Sequence, residues 1–126
     1  MVESFWAIPD VTNVRTPLSI LREQASAITT QTKGALVGLV ETRADGDSFV
    51  YIRLELSVPA LNDYRYRILT YQQPVELYPG RLIVGGDLRG DSVTDESTFL
   101  SDVKKILSSE QITNVVRSLL AQAKEI

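Results

Sequence analysis

The sequence predicts an α+β protein in which an antiparallel β-meander of three to four strands follows one helix and precedes two. Three patterns lead to this expectation: a capped helical stretch at 17–33, strict apolar–polar alternation at 50–58, and two amphipathic stretches after residue 98. The order α-β-β-β-(β)-α-α is typical of a sheet with its helices packed on one face, and it also fits helices on both faces. No repeat, low-complexity tract or linker-like run divides residues 1–126, so we expect a single globular domain.

The first helix has a clear beginning, because Thr16 is a preferred N-cap residue and Pro17 suits the first helical position. Gly34 is a typical end signal, so the predicted helix covers 17–33. The apolar residues within it recur at the spacing of one helical face: Leu18, Leu21, Ala25 and Ile28.

The segment before this helix, residues 4–15, contains the apolar residues Trp6, Ile8 and Val14 together with Pro9. Neither a helical nor a strand period runs through them. We therefore expect this segment to lie extended, with Trp6 packed against the body of the protein.

The clearest pattern in the chain is a half-buried strand at 50–58. Polar residues there alternate with the apolar residues Val50, Ile52, Leu54, Leu56 and Val58. Residues 35–43 are also strand-like, and Asp45-Gly46 between the two strands is a favoured two-residue hairpin turn. A turn at that position puts the apolar residues of both strands on one face by pairing Leu39 with Ile52, Val37 with Leu54, and Ala35 with Leu56.

Residues 64–73 predict a third strand, which follows a short loop. If that loop is symmetric, Glu55 lies opposite Arg67 and Tyr51 lies opposite Tyr71. An opposite-charge pair and an aromatic pair are both favoured on a sheet surface, so the two pairings support this register.

A shorter fourth strand is expected within 75–84, followed by an acidic loop that runs to Asp95. Two helices then close the chain, separated by a capping-box pattern of Ser108 with Gln111. Their apolar stripes consist of Phe99, Val103, Ile106 and Leu107 in the first helix, and of Ile112, Val115, Val116, Leu119 and Ala123 in the second.

The composition excludes the commonest catalytic schemes, because the 126 residues include no histidine and no cysteine. These side chains supply most proton shuttles, thiolate nucleophiles and transition-metal ligands near neutral pH. No Gly-x-Ser-x-Gly or Ser-x-x-Lys motif is present, and Glu41 and Glu55 are predicted on opposite sheet faces, which does not suit a glycosidase pair. We therefore expect no cofactor and favour a protein without enzymatic activity.

The predicted register also defines a second sheet face, which is more apolar and aromatic than a solvated face normally is. Aromatic and arginine side chains are enriched at interaction hot spots, so this face is a candidate contact surface. Its proposed partner-binding residues are Phe49, Tyr51, Arg53, Leu69 and Tyr71. The alternative interpretation is that a C-terminal helix or the Trp6 segment covers this face and makes it part of the core.

A second candidate site is the acidic loop 87–96, where magnesium or calcium could bind through oxygen ligands alone. Its candidate metal ligands are Asp87, Asp91, Asp95 and Glu96. The acids recur every four residues rather than at EF-hand positions, and no bidentate glutamate lies at the required distance. The favoured interpretation is a solvated loop whose last two acids lie at the N-terminus of the following helix.

Nucleic-acid binding through Arg53, Arg65 and Arg67 is a third hypothesis, suggested by the run Tyr64-Arg65-Tyr66-Arg67. In a strand the two tyrosines point to one face and the two arginines to the other, which separates stacking from phosphate binding. The formal net charge is −3, with 13 basic and 16 acidic residues. Nucleic acid is therefore not the expected partner.

These observations favour a small non-catalytic protein-interaction domain of an adaptor, chaperone-like or immunity-like kind. It would bind a protein partner, or itself as a homodimer, through the aromatic sheet face. The alternative is a divalent-metal-dependent hydrolase or metal-binding regulator that uses loop 87–96.

The sequence shows no secretory signal and no apolar stretch that could span a membrane, so we expect a cytoplasmic protein. The predicted architecture resembles that of small helix-plus-meander binding proteins such as secretion chaperones and toxin-neutralising immunity proteins.

Overall fold

The predicted α+β order is confirmed in the computed structural model, which describes residues 2–46, 48–85 and 90–125. One strand more than the expected three to four is found, because the short strand Asp91–Val93 forms inside the predicted acidic loop. The elements within the described residues are α1 (Pro17–Gln31), β1 (Val37–Asp45), β2 (Phe49–Val58), β3 (Tyr64–Gln73), β4 (Gly80–Val84), β5 (Asp91–Val93), α2 (Glu96–Leu107) and α3 (Glu110–Lys124).

The five strands form one antiparallel sheet in the order β1-β2-β3-β4-β5, so each strand pairs with its neighbour in the sequence. The outer half of edge strand β1 is exposed and charged, with Glu41, Arg43 and Asp45 along it. The opposite edge strand, β5, has only three residues. Charge at one edge and shortness at the other both disfavour further strand pairing.

Helix α1 begins as predicted, because the Thr16 hydroxyl accepts a hydrogen bond from the Ser19 backbone N–H at 3.0 Å. The Ser19 hydroxyl in turn accepts one from the Thr16 N–H at 3.1 Å, which completes a capping box. The third helix also begins on a serine cap, but the residue is Ser109, which accepts from the Ile112 N–H, rather than the predicted Ser108.

All three helices lie on one face of the sheet, as the first of the two predicted arrangements requires. Residues of α1, α2 and α3 line one cavity together with Leu54 and Leu56 of β2 and Ile68 of β3. On the same face, the buried ring of Tyr71 contacts Phe99 of α2 with ring centroids 4.9 Å apart. This layer of sheet and helices contains the hydrophobic core.

The hairpin register differs from the prediction by three residues. In the structure Leu39 lies opposite Glu55 and Asp45 lies opposite Phe49, so the loop contains three residues rather than the two of Asp45-Gly46. An odd shift exchanges the faces of β1 relative to β2. Val37 and Leu39 therefore share a face with the polar residues of β2, while Gly38 and Val40 face the core. The prediction that Glu41 and Glu55 lie on opposite sheet faces is wrong for the same reason, since both lie on this polar face.

The predicted β2–β3 register is confirmed at one end and wrong at the other. Glu55 lies opposite Arg67 as expected, but Tyr51 lies opposite Gln72 and Tyr71 lies opposite Ile52. An irregularity between Leu54 and Glu55 leaves one extra residue on β3, which is the signature of a β-bulge. The bulge directs Tyr71 to the core instead of to the face of Tyr51.

Residues 2–14 form an N-terminal arm outside the helices and strands. The prediction that Trp6 packs against the body is wrong, since its side chain is 82% exposed. No helix among the described residues has the length and apolar character needed to cross a membrane.

Candidate functional site

The candidate contact surface lies on the sheet face opposite the three helices, which we call the open face. Strand β2 contributes Phe49, Tyr51 and Arg53 to it by strict alternation, because the intervening residues Val50 and Ile52 point towards the core. Phe49 is 36% exposed, and its ring lies 6.3 Å from that of Tyr51 in a tilted arrangement. Three of the five predicted binding residues are therefore together on an accessible face.

The other two predicted binding residues, Leu69 and Tyr71, do not belong to this face. Both are fully buried on the helix side of the sheet, and the Tyr71 hydroxyl donates a hydrogen bond to the Leu77 carbonyl oxygen at 2.7 Å. The prediction of a shared face is wrong for them because it assumed a regular β2–β3 ladder, and the bulge changes which side chains align.

A cleft of about 400 Å³ opens on the open face between the ends of β1 and β4. Thr70 and Ile83, which are directly opposite each other on β3 and β4, lie beside Tyr51 in its lining. Its complete lining is Arg43, Asp45, Tyr51, Arg53, Arg67, Thr70, Ile83 and Gly85.

Three arginines give this cleft its positive character: Arg43, Arg53 and Arg67 come from three adjacent strands. Within residues 2–46, 48–85 and 90–125, none of the three forms an ion pair with a carboxylate. Asp45 is the one acidic residue that lines the cleft in this part of the chain. The cleft can therefore offer guanidinium groups to an external anion.

The glutamates that lie opposite Arg53 and Arg67 in the sheet are engaged by a fourth arginine on the same face. The Arg65 guanidinium lies 2.7 Å from the Glu41 carboxylate and 3.9 Å from that of Glu55. Arg67 was predicted to compensate Glu55, and it does lie opposite that residue in the ladder, but the ion pair is formed by Arg65. This arrangement leaves Arg67 directed to the cleft.

Arg53 is the central side chain of the cleft. It lies opposite Glu41 on one side and Thr70 on the other. Its Nε atom is buried and has no hydrogen-bond partner among the residues that the structure describes. A buried N–H without an acceptor costs free energy, and an incoming carboxylate oxygen would supply that acceptor.

The predicted metal ligands do not converge in the described part of the chain. Asp91 belongs to β5, Asp95 is the N-cap of α2, and Glu96 lies in the first turn of that helix; Asp87 lies outside the described residues. The Asp95 carboxylate accepts a hydrogen bond from the Thr98 N–H at 2.8 Å, which lowers the pKa of Asp95. Among the residues that the structure describes, no group of three acidic side chains could hold a metal ion.

The predicted separation within Tyr64-Arg65-Tyr66-Arg67 is observed. Arg65 and Arg67 lie on the open face with Glu55, whereas Tyr66 lies opposite Leu56 and packs against the core. The arginines of β3 therefore have no stacking platform from the tyrosines of their own strand.

The comparisons with known proteins add no identification: no protein-family model, curated protein or solved structure matches this chain. Sequence reasoning missed Arg43, Thr70 and Ile83, because their position in the cleft depends on the hairpin register and on the β3–β4 pairing. The sequence did contain a signal for Arg43. If Gly38 is assigned to the core face, where its missing side chain lets α1 approach, the alternation within β1 places Arg43 on the open face.

Proposed function

We propose that this chain is a non-catalytic protein-interaction domain whose open face binds a carboxylate-bearing segment of a partner protein. The observation that carries the proposal is the cleft in which Arg43, Arg53 and Arg67 surround Tyr51 without ion pairs among the described residues. Guanidinium groups recognise carboxylates through paired hydrogen bonds, and arginine beside tyrosine is the composition of an interaction hot spot.

Several features favour an acidic protein segment over a nucleic acid. Glu41 and Glu55 lie on the same face beside the cleft, and Asp45 lines it. A phosphate backbone carries charge along its whole length and meets these carboxylates where it crosses the face, whereas a peptide segment needs to place only one or two carboxylates among the arginines. The net charge of the chain is −3, which lacks the basic surplus typical of nucleic-acid binding. A cleft of about 400 Å³ suits one or two side chains with their backbone.

The test is a fluorescence-anisotropy titration of the full chain with a labelled peptide of about ten residues in which glutamate and alanine alternate. The same peptide with lysine for glutamate and an oligothymidylate of similar length serve as comparison probes. We expect binding of the acidic peptide only, with an affinity that falls as salt concentration rises.

The variant that tests the site combines Arg53→Gln and Arg67→Gln, and we expect it to weaken acidic-peptide binding by about tenfold or more. Arg22→Gln with Arg117→Gln is the matched control, because it removes the same charge from exposed positions on α1 and α3. Equal losses in both double variants would show non-specific attraction and contradict the proposal. Tighter binding of the oligothymidylate than of the acidic peptide would assign the cleft to nucleic acid instead.

A further inference from the structure

Most of the large apolar side chains that are exposed in the described part of the chain lie in the N-terminal arm. Phe5 is 93% exposed, Trp6 82% and Ile8 81%, and the arm also exposes Val2, Val11 and Val14. Contiguous exposed apolar surface beyond a few hundred Å² is rare on monomeric proteins and marks an interaction site. This surface is separate from the open face and from the function proposed for it.

No hydrogen bond or ion pair in the described structure joins the arm to the body of its own chain before Arg15. The hydrogen bonds of residues 2–14 are all local: the Trp6 N–H donates to the Ser4 hydroxyl, the Thr12 N–H and hydroxyl to Asp10, and the Val14 N–H to the Val11 carbonyl. At its end the arm is joined to α1 by the ion pair of Arg15 with Glu23. A fully extended arm of this length reaches about 40 Å from that point.

The body of the protein carries a groove between its helices that is apolar, like the exposed side chains of the arm. Two adjoining clefts of about 180 and 490 Å³ share Gln24 of α1 and Leu107 of α2 in their linings. The smaller cleft reaches Ile28 and Ile112, and the larger one reaches Leu100. We call the two clefts together the interhelical groove.

We propose that two copies of this chain form a symmetric dimer by exchange of their N-terminal arms, with Phe5 and Trp6 of each arm seated in the interhelical groove of the other copy. The exchange of arms is reciprocal, so the assembly closes at two copies and both arms are bound. Charge supports this occupant, since the arm carries Glu3 and Asp10 and the only charged residue lining either cleft in the described structure is Lys104.

The surface area supports it as well. An aromatic side chain buries about 150–250 Å², and a valine or isoleucine buries on the order of 60–120 Å². Each arm thus offers on the order of 800 Å² of apolar surface, and that is about what one partner contributes to a stable interface of standard size.

The experiment measures the mass of the full chain by light scattering after size exclusion, over a range of concentrations. We expect twice the mass of one chain at high concentration. Replacing the two anchors by Phe5→Ser with Trp6→Ser should raise the dissociation constant of the dimer at least about thirtyfold for each anchor. Val75→Ser is the control, because Val75 is 93% exposed outside both the arm and the groove, and it should leave the dimer unchanged.

Trp6 is the single tryptophan of the chain and reports directly on the position of the arm. Its emission should shift to shorter wavelength, and its quenching by acrylamide should decrease, as the protein concentration rises through the dimer transition.

The groove is tested by the Lys104→Glu variant. Lys105→Glu is its control, because Lys105 is the next residue in α2 but does not line the groove. Both residues are exposed, so neither change should unfold α2. We expect only Lys104→Glu to weaken the dimer.

Three results would overturn the inference. A monomer at every concentration would show that the arm does not bind a second copy. A blue-shifted Trp6 emission that is independent of concentration would show that the arm occupies the groove of its own chain. A dimer that persists in the Phe5→Ser, Trp6→Ser variant would show that the copies associate through another surface.

Discussion

The Glu55 carboxylate is compensated by Arg65, 3.9 Å away, and not by Arg67, the residue directly opposite it in the β2–β3 ladder. Glu55 is 8% exposed, so its charge needs a partner. Because Arg65 supplies that partner and also binds Glu41, Arg67 stays available to the cleft formed with Arg53. The distribution of these ion pairs determines where the open face is positive.

Neutralising Glu55 should therefore strengthen the site. In the Glu55→Gln variant the glutamine amide keeps the shape of the side chain but removes a negative charge next to Arg67. We expect the acidic peptide to bind about two- to fivefold more tightly, which is the scale of one charge interaction in a solvated environment. Anisotropy titration measures this effect, and Glu110→Gln on α3 is the control that should leave the affinity unchanged. Equal affinity of wild type and Glu55→Gln would contradict the electrostatic account of the cleft.

Gly38 determines how closely α1 approaches the sheet. A Cβ atom at this position would lie 2.5 Å from the Cα of Ala25, which is backbone that cannot turn away. We expect Gly38→Ala to lower the free energy of unfolding by about 1–3 kcal/mol or more through overpacking. Gly34→Ala is the contrast, since that Cβ meets nothing within 4 Å and only the positive φ of +83° opposes it. Urea denaturation of both variants should show the larger loss for Gly38→Ala, and the reverse order would contradict the close approach.

The hydroxyl of Thr29 joins the same helix to the same strand. It accepts a hydrogen bond from the Gly38 N–H at 2.8 Å and donates one to the Ala25 carbonyl at 3.0 Å. Thr29→Val removes the acceptor while keeping the shape, so we expect a loss of about 1–3 kcal/mol for the unpaired N–H. Thr29→Ser retains the hydroxyl and should lose clearly less in the same denaturation assay. If serine and valine destabilise equally, packing rather than this hydrogen bond joins α1 to β1.

Stability at high pH should depend on the tyrosine pair Tyr71 and Tyr78. Burial is the main cause that raises the pKa of each phenol to about 12. Tyr78 adds to the increase at Tyr71, while Glu96 and Asp95 add to the increase at Tyr78 and Arg15 opposes it. An unfolded tyrosine loses its proton near about pH 10. Between these values the unfolded chain binds fewer protons than the folded one, so the free energy of unfolding falls as the pH rises. The stabilising contribution is complete below about pH 10 and disappears toward pH 12.

Denaturation midpoints between about pH 9 and 11.5 measure this decline. Tyr71→Phe removes one of the two phenols and should make the decline shallower. Tyr64→Phe is the control, because Tyr64 is 51% exposed and lies outside the Tyr71–Tyr78–Phe99 cluster. Identical declines in wild type and both variants would show that the buried phenols do not control alkaline unfolding.

The sequence was sufficient for the order of the elements because their signals are local. The cap at Thr16, the alternation from Val50 to Val58 and the stripe that includes Phe99 and Val103 all act within a few residues of themselves. Strand β5 escaped prediction because three residues are too few to show a period.

Register and site composition were harder to predict, because they depend on contacts between elements. Both alternation classes of β1 contain apolar residues, so the pattern alone does not decide whether Leu39 or Val40 faces the core. The helix α1 decides it by packing against Gly38, a residue with no hydrophobic signal. The bulge in β3 then moved Tyr71 into the core and left Arg53 and Arg67 as the centre of the open face.

The most direct test of the central claim, that the open face is the binding surface, is an NMR titration of the ¹⁵N-labelled chain with the acidic peptide. The amide signals of Tyr51, Arg53, Arg67 and Thr70 should shift together and saturate at one dissociation constant, while those of Leu107 and Ile112 on the helix side stay in place. Shifts confined to the helix side, or no shifts at peptide concentrations that saturate the anisotropy signal, would contradict it.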